Sequence, residues 1–359
     1  MLLSIKTKLK LNKTQEILMA KHAGIARFTF NWGLATWQYL YKDGLKPNKY
    51  ILKKFFNNHV KPELTWIKEK GICQKITQYA FDSLGEAFQR FFQGQSQYPN
   101  FKKKGQNDSF TIDAGAKPIP VGGTSIKLPT IGWVKNHEGL PHTTCKSITI
   151  SRTADSWYIA FSYEKEYLPT IKDHALVGVD LGVKELATLS TGVIFPHPKH
   201  YKHNLAKLQR LSKVYCRKAQ GSNNKHKAKI QLARHHTRIA NMRKDTLHKL
   251  TTYLCKNHAK IVREDLNVSG MLSNHKLAQA IADCGFYELK RQLEYKAKKF
   301  GCEIIVADRF YPSSKTCSHC GHKKEILSLS ERIYHCENCS FEIDRDLNAA
   351  INLSRLAKA

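Results

Sequence analysis

Ile5, Thr7, Leu9 and Leu11 alternate with Lys6, Lys8 and Lys10, the two-residue period of a half-solvated strand. The period then lengthens. From Thr14 to Lys42, Ile17, Leu18, Ala23, Ile25, Phe28, Trp32, Leu34, Trp37 and Tyr41 recur at helical spacing, which predicts two helices bent near Gly24 with their aromatic stripe in a core. Further helices are predicted over Tyr50 to His59 and over Lys75 to Phe92. Short runs punctuated by Pro and Gly follow, at Ser109 to Asp113, Ser125 to Pro129 and Gly132 to Lys135. Ile148 and Ile150, then Trp157, Ile159, Phe161 and Tyr163, read as a hairpin.

Past Leu168-Pro169-Thr170 the pattern changes. In Ala175 to Leu181 a strand would turn Val177, Val179 and Leu181 into a core and Gly178, Asp180 and Gly182 the other way, leaving the aspartate on a face cleared by glycines. Glu185 to Ser190 and Val193 to Phe195 continue as antiparallel strands. Helix formers dominate from Tyr201 to Asn257. Lys260 to Arg263 is a buried strand ending in acid, with Val262 and Glu264 on one face and Ile261, Arg263 and Asp265 on the other. Asp265 is expected to cap the loop that follows. A helix over Tyr287 to Phe300, a strand over Cys302 to Asp308 and a last helix through Leu347 to Leu353 complete the pattern.

Charge changes the picture. Lys and Arg number 59 against 29 acidic residues, a formal charge of +30 spread over the whole length. Such an excess predicts a polyanion partner with a long contact track, nucleic acid in the first place. The basic residues between Lys202 and Lys244 suit a phosphate-tracking helical pair. No apolar run of eighteen residues and no signal-peptide pattern points to a membrane, so the expected place of work is the cytoplasm, at the nucleoid.

Near the C-terminus, Cys317 and Cys320, then Cys336 and Cys339, read CxxC, fifteen residues, CxxC. A two-residue gap lets both thiolates of a knuckle turn to one ion, and two knuckles complete the tetrahedral shell of zinc. Four cysteines leave no open position, so the zinc is expected to be structural. Cys73, Cys145, Cys216, Cys255, Cys284 and Cys302 are isolated in sequence and expected to be plain core or surface residues.

Chemistry must then lie elsewhere. Asp180 in a first strand, Glu264 at the end of a later one and an aspartate of Asp344-Arg345-Asp346 at the head of the last helix form the acidic set of an RNase H-like sheet. Three carboxylates holding two divalent ions, magnesium or manganese rather than zinc, would suit phosphodiester hydrolysis.

The segments GVDLGVKELATLS, REDLNVSGM, RFYPSSKTCSHCG, CENC and DRDLNAAINL, with ARFTFNWGLA and PNFKKKG nearer the start, resemble the TnpB family. These are RNA-guided nucleases of bacterial insertion sequences, related to small type V CRISPR effectors. The resemblance implies a multidomain α+β and α/β chain. An N-terminal β-barrel-like module, 1–169, would carry a helical insertion at about 13–95. A RuvC-like nuclease domain, 170–359, would follow, with the zinc ribbon 311–342 inserted. It also implies Asp180, Glu264 and Asp346 as catalytic acids, with Asp344 as a local cap or ion-pair partner. Its implied partners are a guide RNA from the transposon end and a double-stranded DNA target. A nuclease-inactive RNA-guided DNA binder and a guide-independent zinc-ribbon DNA-binding protein are the competing readings.

Overall fold

The computed structural model describes residues 1–113, 115, 117–167, 170–328 and 330–357. The chain divides into two compact units, Met1–Lys165 and Glu166–Ala359. Leu168 and Pro169, where the sequence analysis puts the boundary, lie outside the described residues.

The first unit begins with strand β1 (Leu2–Lys10), whose alternating residues become buried toward its end at Thr7 and Leu9. Asn12 caps α1 (Lys13–Lys42), its side chain accepting from the Gln15 N–H while Gln15 reaches back to the Asn12 N–H. The break into two helices expected near Gly24 does not occur, and α1 is continuous through it. His22, Ala23, Ile25 and Ala26 are buried on both sides of it, and that packing outweighs the roughly 1 kcal/mol a mid-helix glycine costs.

Helices α2 (Lys49–Phe55) and α3 (Ile76–Phe92) pack with α1, Phe55 stacking on Trp32 and Phe88 on Trp37. The aromatic stripe is only partly core, because Phe28 and Tyr41 are exposed.

The remaining strands are β2 (Ser109–Asp113), β3 (Ile119–Leu128), β4 (Gly132–Cys145), β5 (Ser147–Thr153) and β6 (Ser156–Glu164). They form with β1 one six-stranded antiparallel sheet, in the order β2-β5-β6-β1-β4-β3. The three helices are thus an insertion between its first two strands. The β3–β4 hairpin is longer than the short strands expected there, because register shifts between Val121 and Ser125 absorb the two glycines.

In the second unit, β7 (His174–Asp180), β8 (Glu185–Leu189) and β9 (Ile194–Pro196) form an antiparallel meander. Two helices follow, α4 (His200–Cys216) and α5 (Asn223–Asn257). Strand β10 (His258–Arg263) then pairs parallel to β7, and after α6 (Val268–Leu272), α7 (Ala278–Cys284) and α8 (Phe286–Phe300), β11 (Glu303–Val306) pairs parallel to β10. The sheet order is β11-β10-β7-β8-β9. The short helices α6 and α7 were not anticipated, since their Ser-, Gly- and Asn-rich surroundings read as loop.

Two layers cover this sheet. Val177, Val179 and Ile261 enter a core with Leu250 and Leu254 of α5 and Leu289 and Leu293 of α8. On the opposite face Val262 packs with Leu353 of the last helix, α9 (Arg345–Arg355). Between β11 and α9 lies the cysteine-bearing segment, with its own hairpin of β12 (Ile333–His335) and β13 (Glu342–Asp344). No helix among the described residues is long and apolar enough to cross a membrane.

Candidate functional site

Strand register sets the first two acids side by side. Gly178 faces Val262 and Val179 faces Arg263 across the parallel β7–β10 pair, so Asp180 and Glu264 come next, at the same level and on the side covered by α9. Gly178 itself does not leave a cleared face beside Asp180, as the sequence suggested. A Cβ there would stand 1.9 Å from the Ala350 carbonyl oxygen, so the glycine is what lets α9 lie on the sheet. Asp346 is one helical turn before Ala350, and Asp180 two strand positions beyond Gly178. Both steps span about 6 Å, so the third acid arrives at the first.

The electrostatics agree with this placement. Burial first, and then the charges of Glu264 and Asp346, push the Asp180 carboxyl well above the usual carboxylate range. A buried carboxyl with two further carboxylates acting on it is an excess of negative charge that a divalent cation would relieve. By that measure the donor set fits magnesium or manganese. Among the described residues, these carboxylates are not drawn to within 4.8 Å of one another, as the four cysteine sulfurs are.

The neighbouring acids do other work. Asp344 is the cap of α9, accepting from the N–H groups of Asp346 and Leu347 at 3.0 Å. Asp265, expected as a loop cap, instead pairs with Arg309. The cap after β10 is Asn267, whose Oδ1 accepts from the Gly270 N–H at 3.1 Å.

Sequence reasoning also missed Ser313, whose Oγ donates to Glu264 Oε1 at 2.6 Å. Asn348 and Asn352 escaped notice too. Their side chains hold the Ser318 N–H and the carbonyls of Ser313 and Thr316, tying α9 to the chain that leads into the cysteines. Two asparagines four apart on the apolar face of a helix were the available signal, because a buried amide must find a partner.

Cys317, Cys320, Cys336 and Cys339 place their sulfurs within 4.8 Å of one another. Each pair sits on the same turn. The Gly321 N–H donates to the Cys317 carbonyl at 3.0 Å and the Ser340 N–H to the Cys336 carbonyl at 3.0 Å, and both closing residues have positive φ, 80° and 53°. The backbone N–H of His322, with the Asn338 amide, draws the Cys320 thiol down to about 6. The N–H of Phe341 favours the Cys339 thiolate, yet burial and the other three sulfurs push that thiol up to about 12. Four thiolates so close ionise together only around a cation, and zinc is the ion that four sulfurs suit. Of the other cysteines, Cys73, Cys145, Cys255 and Cys284 are buried, Cys216 is exposed and Cys302 half-buried. Cys255 and Cys302 are not isolated in space, because their thiols hydrogen-bond to each other.

Known proteins match along the whole chain. A family model described as "Probable transposase" matches residues 160–275, a "Helix-turn-helix domain" model residues 1–46, and a "Cas12f1-like, TNB domain" model residues 286–353. Residues 1–46 are here β1 and the greater part of one continuous helix. The Escherichia coli (strain K12) protein named "Putative RNA-guided DNA endonuclease InsQ" is 34% identical over 375 residues, 98% of this chain and 91% of its own length. A Streptomyces pristinaespiralis protein named "Putative RNA-guided DNA endonuclease" is 37% identical over 307 residues, 81% of this chain and 73% of its own length. Among solved structures, Cas12f1 in complex with sgRNA and target DNA superposes with a TM-score of 0.60 at 15% identity, covering 96% of this chain and 83% of that one, and shares its mixed α+β fold.

Proposed function

The chain belongs to the TnpB family of transposon-borne RNA-guided DNA endonucleases, and from that premise we propose that its second unit is an RNase H-like, RuvC-type nuclease built on Asp180, Glu264 and Asp346. The observation that supports this reading is the register that sets Asp180 and Glu264 side by side on the α9 face of the sheet, with the charge of Asp346 also acting on Asp180.

In this reading the three acids hold magnesium or manganese. The ions would supply an activated water and steady the oxygen that leaves the cleaved phosphodiester. The protein's own part is to fix the carboxylates in place. Asp180 stands at the end of a buried strand, Glu264 directly after its parallel neighbour, and Asp346 in the capped first turn of a helix locked against that strand. Zinc in the Cys317, Cys320, Cys336 and Cys339 shell is structural, holding the insert between β11 and α9.

The guide and the target account for the charge of +30. A guide RNA transcribed from the transposon end selects a double-stranded DNA target, and Lys and Arg carry the phosphates of both, at the nucleoid. The N-terminal sheet and helices serve as the nucleic-acid grip.

The test is purification from cells that carry the element, sequencing of the RNA that comes with the protein, and magnesium-dependent cleavage of a plasmid matching that RNA. Exchange of the guide segment is expected to redirect the cut. A protein that binds its guided target and never cuts it, with magnesium and manganese both supplied, would be a guided DNA binder. One that carries no RNA and binds DNA unaided would be a zinc-ribbon DNA-binding protein.

A further inference from the structure

We propose that Ser313 is a positioning residue for the metal-holding carboxylate of Glu264, and that it makes the root of the zinc ribbon part of the nuclease centre. The inference rests on the reading of Glu264 as a metal ligand and goes one shell beyond it.

Glu264 is the first residue after β10, and the backbone ladder of the strand does not fix its side chain. Its carbonyl is held by Arg263 Nη1 at 2.8 Å, but its side chain has three rotatable bonds to lose. The Ser313 hydroxyl supplies the restraint. It lies 2.6 Å from Glu264 Oε1, and a carboxylate only accepts, so the single proton of the hydroxyl is committed to that oxygen. Ser313 is 3% exposed, so water does not compete for the bond. The bond occupies one carboxylate oxygen and leaves the other for a cation.

Ser313 is itself held on both sides. Its N–H donates to the Tyr311 carbonyl at 2.8 Å, and its own carbonyl accepts from Asn352 Nδ2 at 2.8 Å. Asn352 also grips the Thr316 carbonyl, one residue before Cys317, and stands on the helix whose first turn carries Asp346. One stretch of chain therefore joins the first zinc ligand, the second acid and the helix of the third. Outer partners of metal ligands are worth about 10–100-fold in metal affinity or activity.

The experiment compares Ser313→Ala and Ser313→Thr with wild type as full-length, guide-loaded complexes. For Ser313→Ala the magnesium concentration giving half-maximal cleavage is expected to rise about 10–100-fold, with a smaller loss of rate at saturating magnesium. Ser313→Thr, which keeps the hydroxyl, is expected to restore most of the affinity. A readout independent of activity is manganese binding followed by electron paramagnetic resonance, with the Asp180→Ala complex as the background for ions held by the RNA. Manganese affinity is expected to fall by a similar factor in Ser313→Ala.

Zinc content and thermal midpoint report whether the variant folds. If Ser313→Ala loses zinc, Ser313→Cys, a weaker donor, takes its place and is expected to give an intermediate shift. A zinc-bound, folded variant with wild-type magnesium dependence and manganese affinity would overturn the inference. Wild-type cleavage by Glu264→Ala would overturn the reading of the site beneath it.

Discussion

Gly178 of β7 and Ala350 of α9 meet backbone to backbone, with no room between them for a methyl group. A Cβ on Gly178 would also lie 2.6 Å from the Ser354 N atom. Since neither obstacle is a flexible side chain, Gly178→Ala must push the helix away from the strand, and Asp346 travels with it. The expected result is a stability loss of about 1–3 kcal/mol, in line with overpacking elsewhere, together with loss of target cleavage. Gly139→Ala in β4, where nothing lies within 4 Å of the added carbon, is the neutral comparison. Denaturant unfolding and a cleavage assay decide it. Full activity in a folded Gly178→Ala protein would break the link drawn between helix packing and the third acid.

Asp180→Ala, Glu264→Ala and Asp346→Ala are each expected to abolish magnesium-dependent cleavage while leaving guide and target binding near wild type. Any one of them should cost nearly as much as all three, because groups acting as a unit are not additive. Asp344→Ala removes a helix cap and Asp265→Ala a half-exposed ion pair with Arg309. Both should keep activity, the first at a stability cost of about 1 kcal/mol. Cleavage that survives Asp346→Ala and dies with Asp344→Ala would show the wrong aspartate has been chosen.

The two CxxC pairs, the strand around Asp180 and the strand ending at Glu264 were legible because each is a local pattern of spacing or alternation. What stayed hidden depends on contacts far apart in the chain. Gly178 reads equally well as space for substrate or for a helix, and only the position of Ala350 decides between them. Ser313 is an ordinary loop serine until Glu264, 49 residues earlier, comes within hydrogen-bonding distance. The helix continues through Gly24 because a tertiary core supports it, information that local propensity does not contain. The aromatic residues of α1 divide into buried Trp37 and exposed Tyr41 for the same reason.

Loss of a sulfur ligand should unfold the insert. Cys317→Ser or Cys339→Ser is expected to drop bound zinc from about one per chain and to lower the thermal midpoint, since zinc binding at such a site is folding energy. Elemental analysis and a melting curve suffice. Retention of zinc after replacement of both Cys317 and Cys339 would exclude this site as its holder. Asn352→Ala, which frees the Ser313 and Thr316 carbonyls from α9, should lower stability while keeping zinc.

Binding to guide and target should weaken steeply with salt. With Lys and Arg exceeding Asp and Glu by 30, many phosphates are neutralised and many counterions released, so log affinity falls linearly with log salt. Titrations at several ionic strengths measure the slope. A flat response would argue against a polyanion partner.

The crowding of carboxylates around Asp180 has a measurable cost to the metal-free protein. Burial and the charges of Glu264 and Asp346 raise its proton affinity in the folded chain above that in the unfolded one. In the window between the ordinary carboxylate value, about 3.9, and the raised one, the folded state therefore binds more protons. Stability contributed by this group falls as pH rises through that window. Asp180→Asn removes the effect, so in buffer free of magnesium and manganese the variant should be more stable than wild type at neutral pH, with the difference vanishing below the ordinary carboxylate value. Added magnesium reverses the order, because an ion that binds only the folded wild-type site contributes about 2.7 kcal/mol at one hundred times its dissociation constant, and the variant lacks the anchoring carboxylate charge. Unfolding curves of zinc-loaded protein at two pH values, with and without magnesium, give all four quantities. A variant less stable than wild type at neutral pH without magnesium would show that Asp180 is a satisfied structural carboxylate and not a strained metal ligand.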